Sequence, residues 1–213
     1  FNRLQLNPLY AQNSRGKFEL SALCTLSQCL LDVRRLAWDL SLFTTAEYSF
    51  VKLPNTYTTG SSIMPNKRNP DVVELLRAAV APVLGAITEM TALLSLPSGY
   101  QRDLQGTKGP LVHNMEKGLK ALSLIPGLID ELQWDADVMA QSISADMYAT
   151  DRAVELTTSG IPFRDAYRQV GDELDQLEKR DPQQSLDERV SLGGPGNLGL
   201  DILEARFTAL FPK

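Results

Sequence analysis

The sequence predicts an all-α fold, a bundle of long helices followed by a small C-terminal helical domain. Apolar residues recur at spacings of three and four over three long stretches, as in helices packed side by side. No stretch keeps the alternation of apolar and polar residues that marks a half-buried strand. We expect residues 1–132 to belong to the bundle and residues 133–213 to form the small domain.

The first long helix is predicted to begin at Lys17 and to fray near Phe43. Residues 1–15 contain Asn7-Pro8, so we expect a helix end followed by a loop there. The apolar seam of the long helix consists of Leu23, Leu26, Leu30, Val33, Ala37 and Leu40. Such a seam predicts packing against other helices that run nearly parallel or antiparallel to it.

A second long helix is predicted to start at Asn69, which would be its N-cap, with Pro70 as its first helical residue. Its seam consists of Val72, Leu76, Ala79, Val83, Ala86, Met90 and Leu93. Pro82 lies in the interior of this predicted helix and predicts a bend without a break. A second apolar stripe beside the seam indicates that neighbouring subunits help to cover the helix.

A polar loop over residues 100–110 is expected to lead into a third long helix, bent at Pro126-Gly127. Its seam consists of Leu111, Met115, Leu119, Leu122, Ile129 and Leu132. Shorter helices are predicted over residues 137–145, 151–159, 163–180 and 200–210. Thr150 is the expected cap of the second of these, and Asp181-Pro182 and residues 193–196 are expected to be loops.

Composition excludes several classes of function. The net charge is −5 and basic residues form no stripe, which argues against binding of nucleic acid. No apolar run approaches the roughly 18 residues of a membrane span, so we expect a cytoplasmic protein. Cys24 and Cys29 match neither a CxxC motif nor a zinc spacing, which predicts reduced thiols in the core and no metal site.

The stretch from Thr58 to Glu74, TTGSSIMPNKRNPDVVE, is the first candidate site. Gly60 permits unusual backbone angles, and Ser61 and Ser62 follow it on a polar segment that we expect to be mobile. Lys67 and Arg68 precede the predicted helix start, whose free N–H groups attract anions. This chemistry predicts a site for a substrate that carries carboxylates.

Three segments carry a resemblance to a known family. Gly60 to Pro70, GSSIMPNKRNP, is similar to the GSSxMPxKxNP segment of the fumarase, aspartase and argininosuccinate lyase superfamily. Leu96 to Lys108 resembles the LPxxYxxDxQxxK stretch of argininosuccinate lyases. Ser159 to Ala166 is similar to the GxPFRxAH segment of their small C-terminal domain, although Tyr167 stands where His is usual.

The resemblance implies a reversible β-elimination that splits argininosuccinate into arginine and fumarate. It assigns the role of base to Ser61, with Ser62 as the alternative. Lys67 and Asn69 would stabilise the negative charge of the aci-carboxylate intermediate. Glu74 matches a position that supports the site, and Tyr100, Gln105 and Lys108 inherit contacts to the substrate. No metal or organic cofactor is implied, because the substrate's own carboxylate takes up the electrons.

The family's active sites are built from three subunits of a homotetramer, so the resemblance implies the same assembly here. The family's general acid is a histidine in a segment that precedes anything in this chain, and His113 is not expected to replace it. We therefore expect a preceding part of the same polypeptide to supply the acid. The 213 residues alone are expected to be inactive.

Some positions depart from the family and leave alternatives open. Gly106-Thr107 stands where an acidic pair is usual, Gly109 replaces a Glu, and Asn13 to Gly16 match the usual VSDRD run only weakly. Adenylosuccinate lyase, or another lyase of the superfamily that releases fumarate, is one alternative. A catalytically silent structural protein that resembles δ-crystallin is an alternative of another class.

Overall fold

The computed structural model describes residues 7–95 and 99–211. It confirms the all-α class. The helices are α1 (Pro8–Asn13), α2 (Lys17–Phe43), α3 (Asp71–Ala78), α4 (Val80–Leu94), α5 (Lys108–Ser123), α6 (Ile125–Glu131), α7 (Ala136–Gln141), α8 (Ala149–Thr158), α9 (Phe163–Asp172), α10 (Pro182–Asp187) and α11 (Leu200–Leu210). The strands, of two residues each, are β1 (Val51–Lys52), β2 (Thr59–Gly60), β3 (Arg68–Asn69) and β4 (Gln133–Trp134).

The chain divides into two compact units, Phe1–Asp135 and Ala136–Lys213. Strand β4 follows residue 132 in the sequence but pairs antiparallel with β1, so it belongs to the first unit. The division after residue 132, as a statement about independent domains, stays a prediction.

Helix α2 forms the spine of the first unit. All six residues of its predicted seam are buried. The half of α2 near its C-terminus packs with α3 in one apolar cluster, and the half near its N-terminus packs with α4 in a second cluster. The path from α3 to α4 is therefore antiparallel to α2, and α5 packs beside both α2 and α4.

The second long helix is divided where a bend was predicted. Pro82 has no N–H, so the carbonyl of Ala78 lacks its helical partner, and the two segments meet at Ala79. Ala79 keeps right-handed helical angles, with φ of −59° and ψ of −28°. The buried side of α3 differs by one residue from the prediction, because Val73 is fully buried and Val72 only partly.

The predicted N-cap at Asn69 is wrong. Asn69 pairs with Thr59 in an extended two-residue strand, so Pro70 occupies the cap position and α3 begins at Asp71. The predicted end of a helix at Asn7-Pro8 is also wrong. Asn7 caps α1 by accepting a hydrogen bond from the N–H of Tyr10, and Pro8 is the first helical residue.

The third long helix consists of α5 and α6, which meet at Leu124, just before Pro126. Two residues of its predicted seam, Leu119 and Ile129, are exposed, whereas Leu128 is fully buried. The predicted loop over residues 100–110 is mostly helical, because a 3-10 helix spans Arg102–Thr107 and α5 starts at Lys108.

The two cysteines are not core thiols. Cys24 and Cys29 are both free and exposed, because each lies next to a buried seam residue of α2 and so faces away from the core. Among the helices of the described residues, none is both long enough and apolar enough to cross a membrane.

The second unit is built from α7 to α11. Its small core lies between α8 and α9 and consists of Ala153, Leu156, Ala166 and Val170. Helix α9 ends at Asp172, well short of the predicted residue 180, because Glu173 leaves the helical angles. Thr150 lies inside the first turn of α8 and is not its cap, and Asp181-Pro182 starts α10 with Asp181 as the N-cap.

Candidate functional site

The segment with the two serines is the tip of a small hairpin. Strands β2 and β3 pair antiparallel, with Thr59 opposite Asn69 and Gly60 opposite Arg68, and residues 61–67 connect them. Except for Ser61, which is partly buried, the connecting residues are exposed. Gly60 does not use the left-handed backbone region that only glycine enters easily, so its expected freedom is not needed in this conformation.

The Ser61 hydroxyl oxygen is held by backbone donors. The N–H groups of Ile63 and Met64 both donate to Ser61 Oγ, at 3.2 Å each. Within the described part of the chain, the exposed Ser62 has no such pair of donors. Two N–H dipoles aimed at one oxygen favour negative charge on it. The local fold thus distinguishes the two neighbouring hydroxyls.

The start of α3 holds carboxylates as well as free N–H groups. Asp71 and Glu74 lie in its first turn, and the Thr59 hydroxyl donates to Asp71 Oδ2. Glu74 is exposed, and its Oε1 lies 3.8 Å from Arg77 Nη2. These two carboxylates already complement the positive helix end. An anion at the hairpin would therefore depend on Lys67, which is exposed, more than on the helix end alone.

A cleft of about 420 Å³ lies at the base of the hairpin. Arg68 lines it and donates to Asn55 Oδ1, so this cation is already engaged. Thr44, at the C-terminal end of α2, lines the same cleft. The hairpin therefore sits at the C-terminal end of the spine helix.

The other three predicted site residues lie in a second cleft, of about 480 Å³. Tyr100, Gln105 and Lys108 are exposed and line it, Tyr100 with 78% of its surface accessible. Arg15 and Gly16, at the N-terminal end of α2, line the cleft from the other side. The structure thus brings together the three residues predicted to contact the substrate.

The two clefts lie at opposite ends of α2. This helix has 27 residues, which at the usual rise per residue corresponds to about 40 Å. The path from Asp71 to Leu94 through α3 and α4 spans the same length in the other direction. Within one copy of the chain, Ser61 and Lys108 are therefore too far apart to touch one small substrate.

Sequence reasoning missed the ion pair between Arg15 and Asp103. Both groups have oxygen or nitrogen atoms buried without a partner in the described part of the chain, namely Arg15 Nε and Asp103 Oδ1. The signal was weak, because Arg15 precedes the first seam and Asp103 looks like any polar residue of a loop. Only the fold brings the two together.

Other candidates can be placed as well. His113 is exposed on α5. Among the residues described, no group of three or more His, Cys, Asp or Glu side chains could hold a metal ion.

Gly106 lies next to Leu93, since a Cβ added at Gly106 would be only 3.2 Å from Leu93 Cδ1. Thr107 is buried. Of the two positions where the family has an acidic pair, Thr107 is thus buried, and Gly106 is exposed with its Cα side close to Leu93.

Comparisons with known proteins show what the chain is similar to. A family model described as a lyase matches residues 7–85. The argininosuccinate lyase of Xanthomonas campestris pv. campestris is 56% identical over 211 residues, which is 99% of this chain and 49% of that protein. The resemblance to argininosuccinate lyases is confirmed. The chain spans about half the length of the curated relatives it matches.

Solved structures support the helical fold of this chain. An EDDS lyase in complex with formate has a TM-score of 0.63 at 19% identity, covering 88% of this chain and 45% of that one. The class II fumarase from Schistosoma mansoni has a TM-score of 0.53 at 20% identity, covering 76% and 38%. Both likenesses concern the helical architecture alone.

Proposed function

We propose that the protein to which this chain belongs is a lyase that splits argininosuccinate reversibly into arginine and fumarate, and that it acts in the cytoplasm. The observation that carries this proposal is the 56% identity to an argininosuccinate lyase over nearly the whole chain. The clustering of Tyr100, Gln105 and Lys108 around one cleft adds support from the geometry.

Ser61 is the proposed base. It takes a proton from the carbon beside a substrate carboxylate, and the electron pair of that C–H bond moves into the carboxyl group as an aci-carboxylate. The electron pair then returns to form the C=C bond of fumarate as the C–N bond breaks, and an acid from outside this chain protonates the departing guanidino nitrogen. The donors from Ile63 and Met64 support this role, because they favour the ionised oxygen that a serine base requires.

Lys67 and Asn69 are proposed to hold the extra negative charge of the intermediate. Asn69 is partly buried and its backbone pairs with Thr59, so its amide side chain extends from a fixed backbone position in the hairpin. Preorganised donors at the point where charge develops are usually the largest catalytic term. Glu74, in the first turn of α3, is proposed to support this part of the site, with its Oε1 3.8 Å from Arg77 Nη2.

The proposed assembly is a homotetramer with shared active sites. Because Ser61 and Lys108 lie near opposite ends of α2, a helix about 40 Å long, a site that uses both must take them from different copies. The general acid would come from the part of the complete protein that corresponds to the unmatched half of the relatives. The 213 residues alone are therefore proposed to be inactive.

The test compares Ser61→Ala with Ser62→Ala in the complete protein, following fumarate by its ultraviolet absorbance. We expect Ser61→Ala to lower kcat by about a hundred- to ten-thousand-fold, the usual contribution of a general base, and Ser62→Ala to retain most activity. Full activity of Ser61→Ala would overturn the role of Ser61. A wild-type protein without turnover would instead point to a silent structural protein.

Substrate choice needs its own measurement, because the exposed Gly106 and the buried Thr107 stand where the family has an acidic pair. The wild-type protein is assayed with argininosuccinate and with adenylosuccinate at equal concentration. We expect kcat/KM for argininosuccinate to be higher by several orders of magnitude. Preference for adenylosuccinate would keep the lyase chemistry and change the substrate.

A further inference from the structure

Arg15 occupies an unusual place in the turn between α1 and α2. It has a φ of +50°, in the left-handed region that residues with side chains seldom enter, and Gly16 follows at +84°. The Arg15 side chain is only 5% exposed. Such a conformation persists only where the surrounding contacts enforce it, so the contacts of Arg15 indicate its purpose.

Those contacts all reach one segment, Gly99–Lys108. Arg15 Nη1 donates to the carbonyl of Gly99 at 2.8 Å, and Nη2 forms an ion pair with Asp103 Oδ2. A Cβ added at Gly16 would lie 3.3 Å from Thr107 Cγ2, so the backbone of Gly16 lies beside the end of the segment. One turn of the chain therefore holds the beginning and the middle of this segment and lies next to its end.

The same segment carries the residues that line the second cleft. Tyr100 directly follows the Gly99 carbonyl, and Gln105 lies two residues after Asp103 in the same 3-10 helix. Lys108 directly follows the buried Thr107. Tyr100, Gln105 and Lys108 are themselves exposed, so their placement depends on how their backbone is held.

We propose that Arg15, acting with Asp103, is a positioning residue that fixes the Gly99–Lys108 segment so that its three exposed side chains meet the substrate together. This inference rests on the proposed function. The planar fork of Arg makes two directed contacts at once, which an ammonium group does not reproduce. The remaining polar atoms of the pair, Arg15 Nε and Asp103 Oδ1, have no hydrogen-bond partner in the described part of the chain. No second contact at these atoms therefore replaces the ion pair when it is lost.

The test uses Arg15→Gln, Arg15→Lys and Asp103→Asn in the complete protein. Lys120→Gln is the matched control, because it removes an exposed ion pair to Glu116, with Nζ and Oε1 2.7 Å apart, on α5. For Arg15→Gln we expect KM for argininosuccinate to rise about tenfold with kcat within about threefold, since binding contacts are displaced and the base is not. Arg15→Lys should lie between wild type and Arg15→Gln, and Lys120→Gln should match wild type.

A second readout does not depend on turnover. Hydrogen exchange of the backbone amides of residues 99–107 should become at least about tenfold faster in Arg15→Gln and in Asp103→Asn, while the core amides of α4 keep their protection. The double variant should be no worse than either single one, because the two residues act as one unit.

Unchanged exchange over residues 99–107 in the folded variants would overturn the inference. So would an equal loss of protection throughout the unit, which is what a merely structural role predicts. If the wild-type protein did not cleave argininosuccinate, the proposed function would fail, and the exchange experiment would still decide whether Arg15 positions the segment.

Discussion

At the level of single residues, the most consequential arrangement is the pair of N–H groups that donate to the Ser61 hydroxyl oxygen. The sequence motif indicated Ser61 and Ser62 as candidates, and the resemblance ranked Ser61 first. Residue types and spacing alone could not show the donors, because they depend on how the hairpin tip folds. For the same reason the partnership of Arg15 with Asp103, 88 positions apart, was not predicted.

Two glycines in helix interiors provide a matched test of the packing. A Cβ on Gly118 would lie 2.6 Å from Leu26 Cδ2 in the core, whereas a Cβ on Gly85 would meet nothing within 4 Å. We expect Gly118→Ala to lower the free energy of unfolding by about 1–3 kcal/mol through overpacking. Gly85→Ala should raise it by about 0.5–1 kcal/mol through helix propensity.

Urea unfolding of both glycine variants, monitored by circular dichroism, measures these changes. The two substitutions are chemically identical, so the opposite signs isolate the effect of the neighbouring side chain. Equal changes in both variants would contradict the packing of α5 against α2.

The small unit should show a dependence of stability on pH that involves Glu155. Its hydrogen bond with Arg180 lowers the pKa of the Glu155 carboxyl. A lowered pKa in the folded state contributes stability above the carboxyl's unfolded pKa, and that stability is lost as the pH falls through the folded pKa. Glu155→Gln should therefore be less stable than wild type at pH 7, and this difference should be smaller at about pH 3, below the ordinary Glu pKa of about 4.3.

Thermal unfolding of wild type and Glu155→Gln at both pH values measures that difference. Because Glu155 and Arg180 are partly exposed, we expect a modest effect that shrinks in high salt. A difference in Tm that stays constant from pH 7 to about pH 3 would show that the ion pair does not contribute.

At the level of elements, the periodicity of apolar residues correctly predicted which side of the longest helix is buried. The seam of α2 was predicted residue by residue, because a long amphipathic helix has one way to face its neighbours. Helix ends were predicted less well. Asn7-Pro8, Asn69-Pro70 and Asp181-Pro182 carry similar signals. Asn7 and Asp181 are the N-caps of helices, whereas Asn69 lies in strand β3. The difference is the pairing of Asn69 with Thr59, which sequence spacing does not reveal.

The hairpin should tolerate Gly60→Ala in its present conformation. Gly60 has ordinary backbone angles, and nothing lies within 4 Å of its Cβ position. We expect the free energy of unfolding to change by less than about 0.5 kcal/mol. If the hairpin closes over the substrate through angles open only to glycine, kcat should fall at least about tenfold with stability unchanged. An unchanged kcat would mean that the glycine is not used in closure.

At the level of the whole molecule, the length of α2 controls how a site can be built. The helix separates the hairpin from the Gly99–Lys108 segment by about 40 Å. The resemblance already implied sites shared between subunits, and the length of α2 supplies a physical reason, because the distance between the two segments appears only in the fold. If both act on one substrate, the working molecule is an oligomer, and light scattering of the complete protein should give the mass of four copies.

Mixing two impaired variants tests this central claim most directly, at a substrate concentration far below KM, where a loss of substrate binding lowers the rate as a loss of kcat does. Ser61→Ala and Lys108→Ala of the complete protein are purified separately, unfolded, combined in equal amounts and refolded, and fumarate release is measured. If each site takes Ser61 from one copy and Lys108 from another, random assembly leaves both residues intact in about a quarter of the sites. We therefore predict about a quarter of wild-type activity. Activity no greater than that of the two variants refolded separately would contradict a site shared between copies.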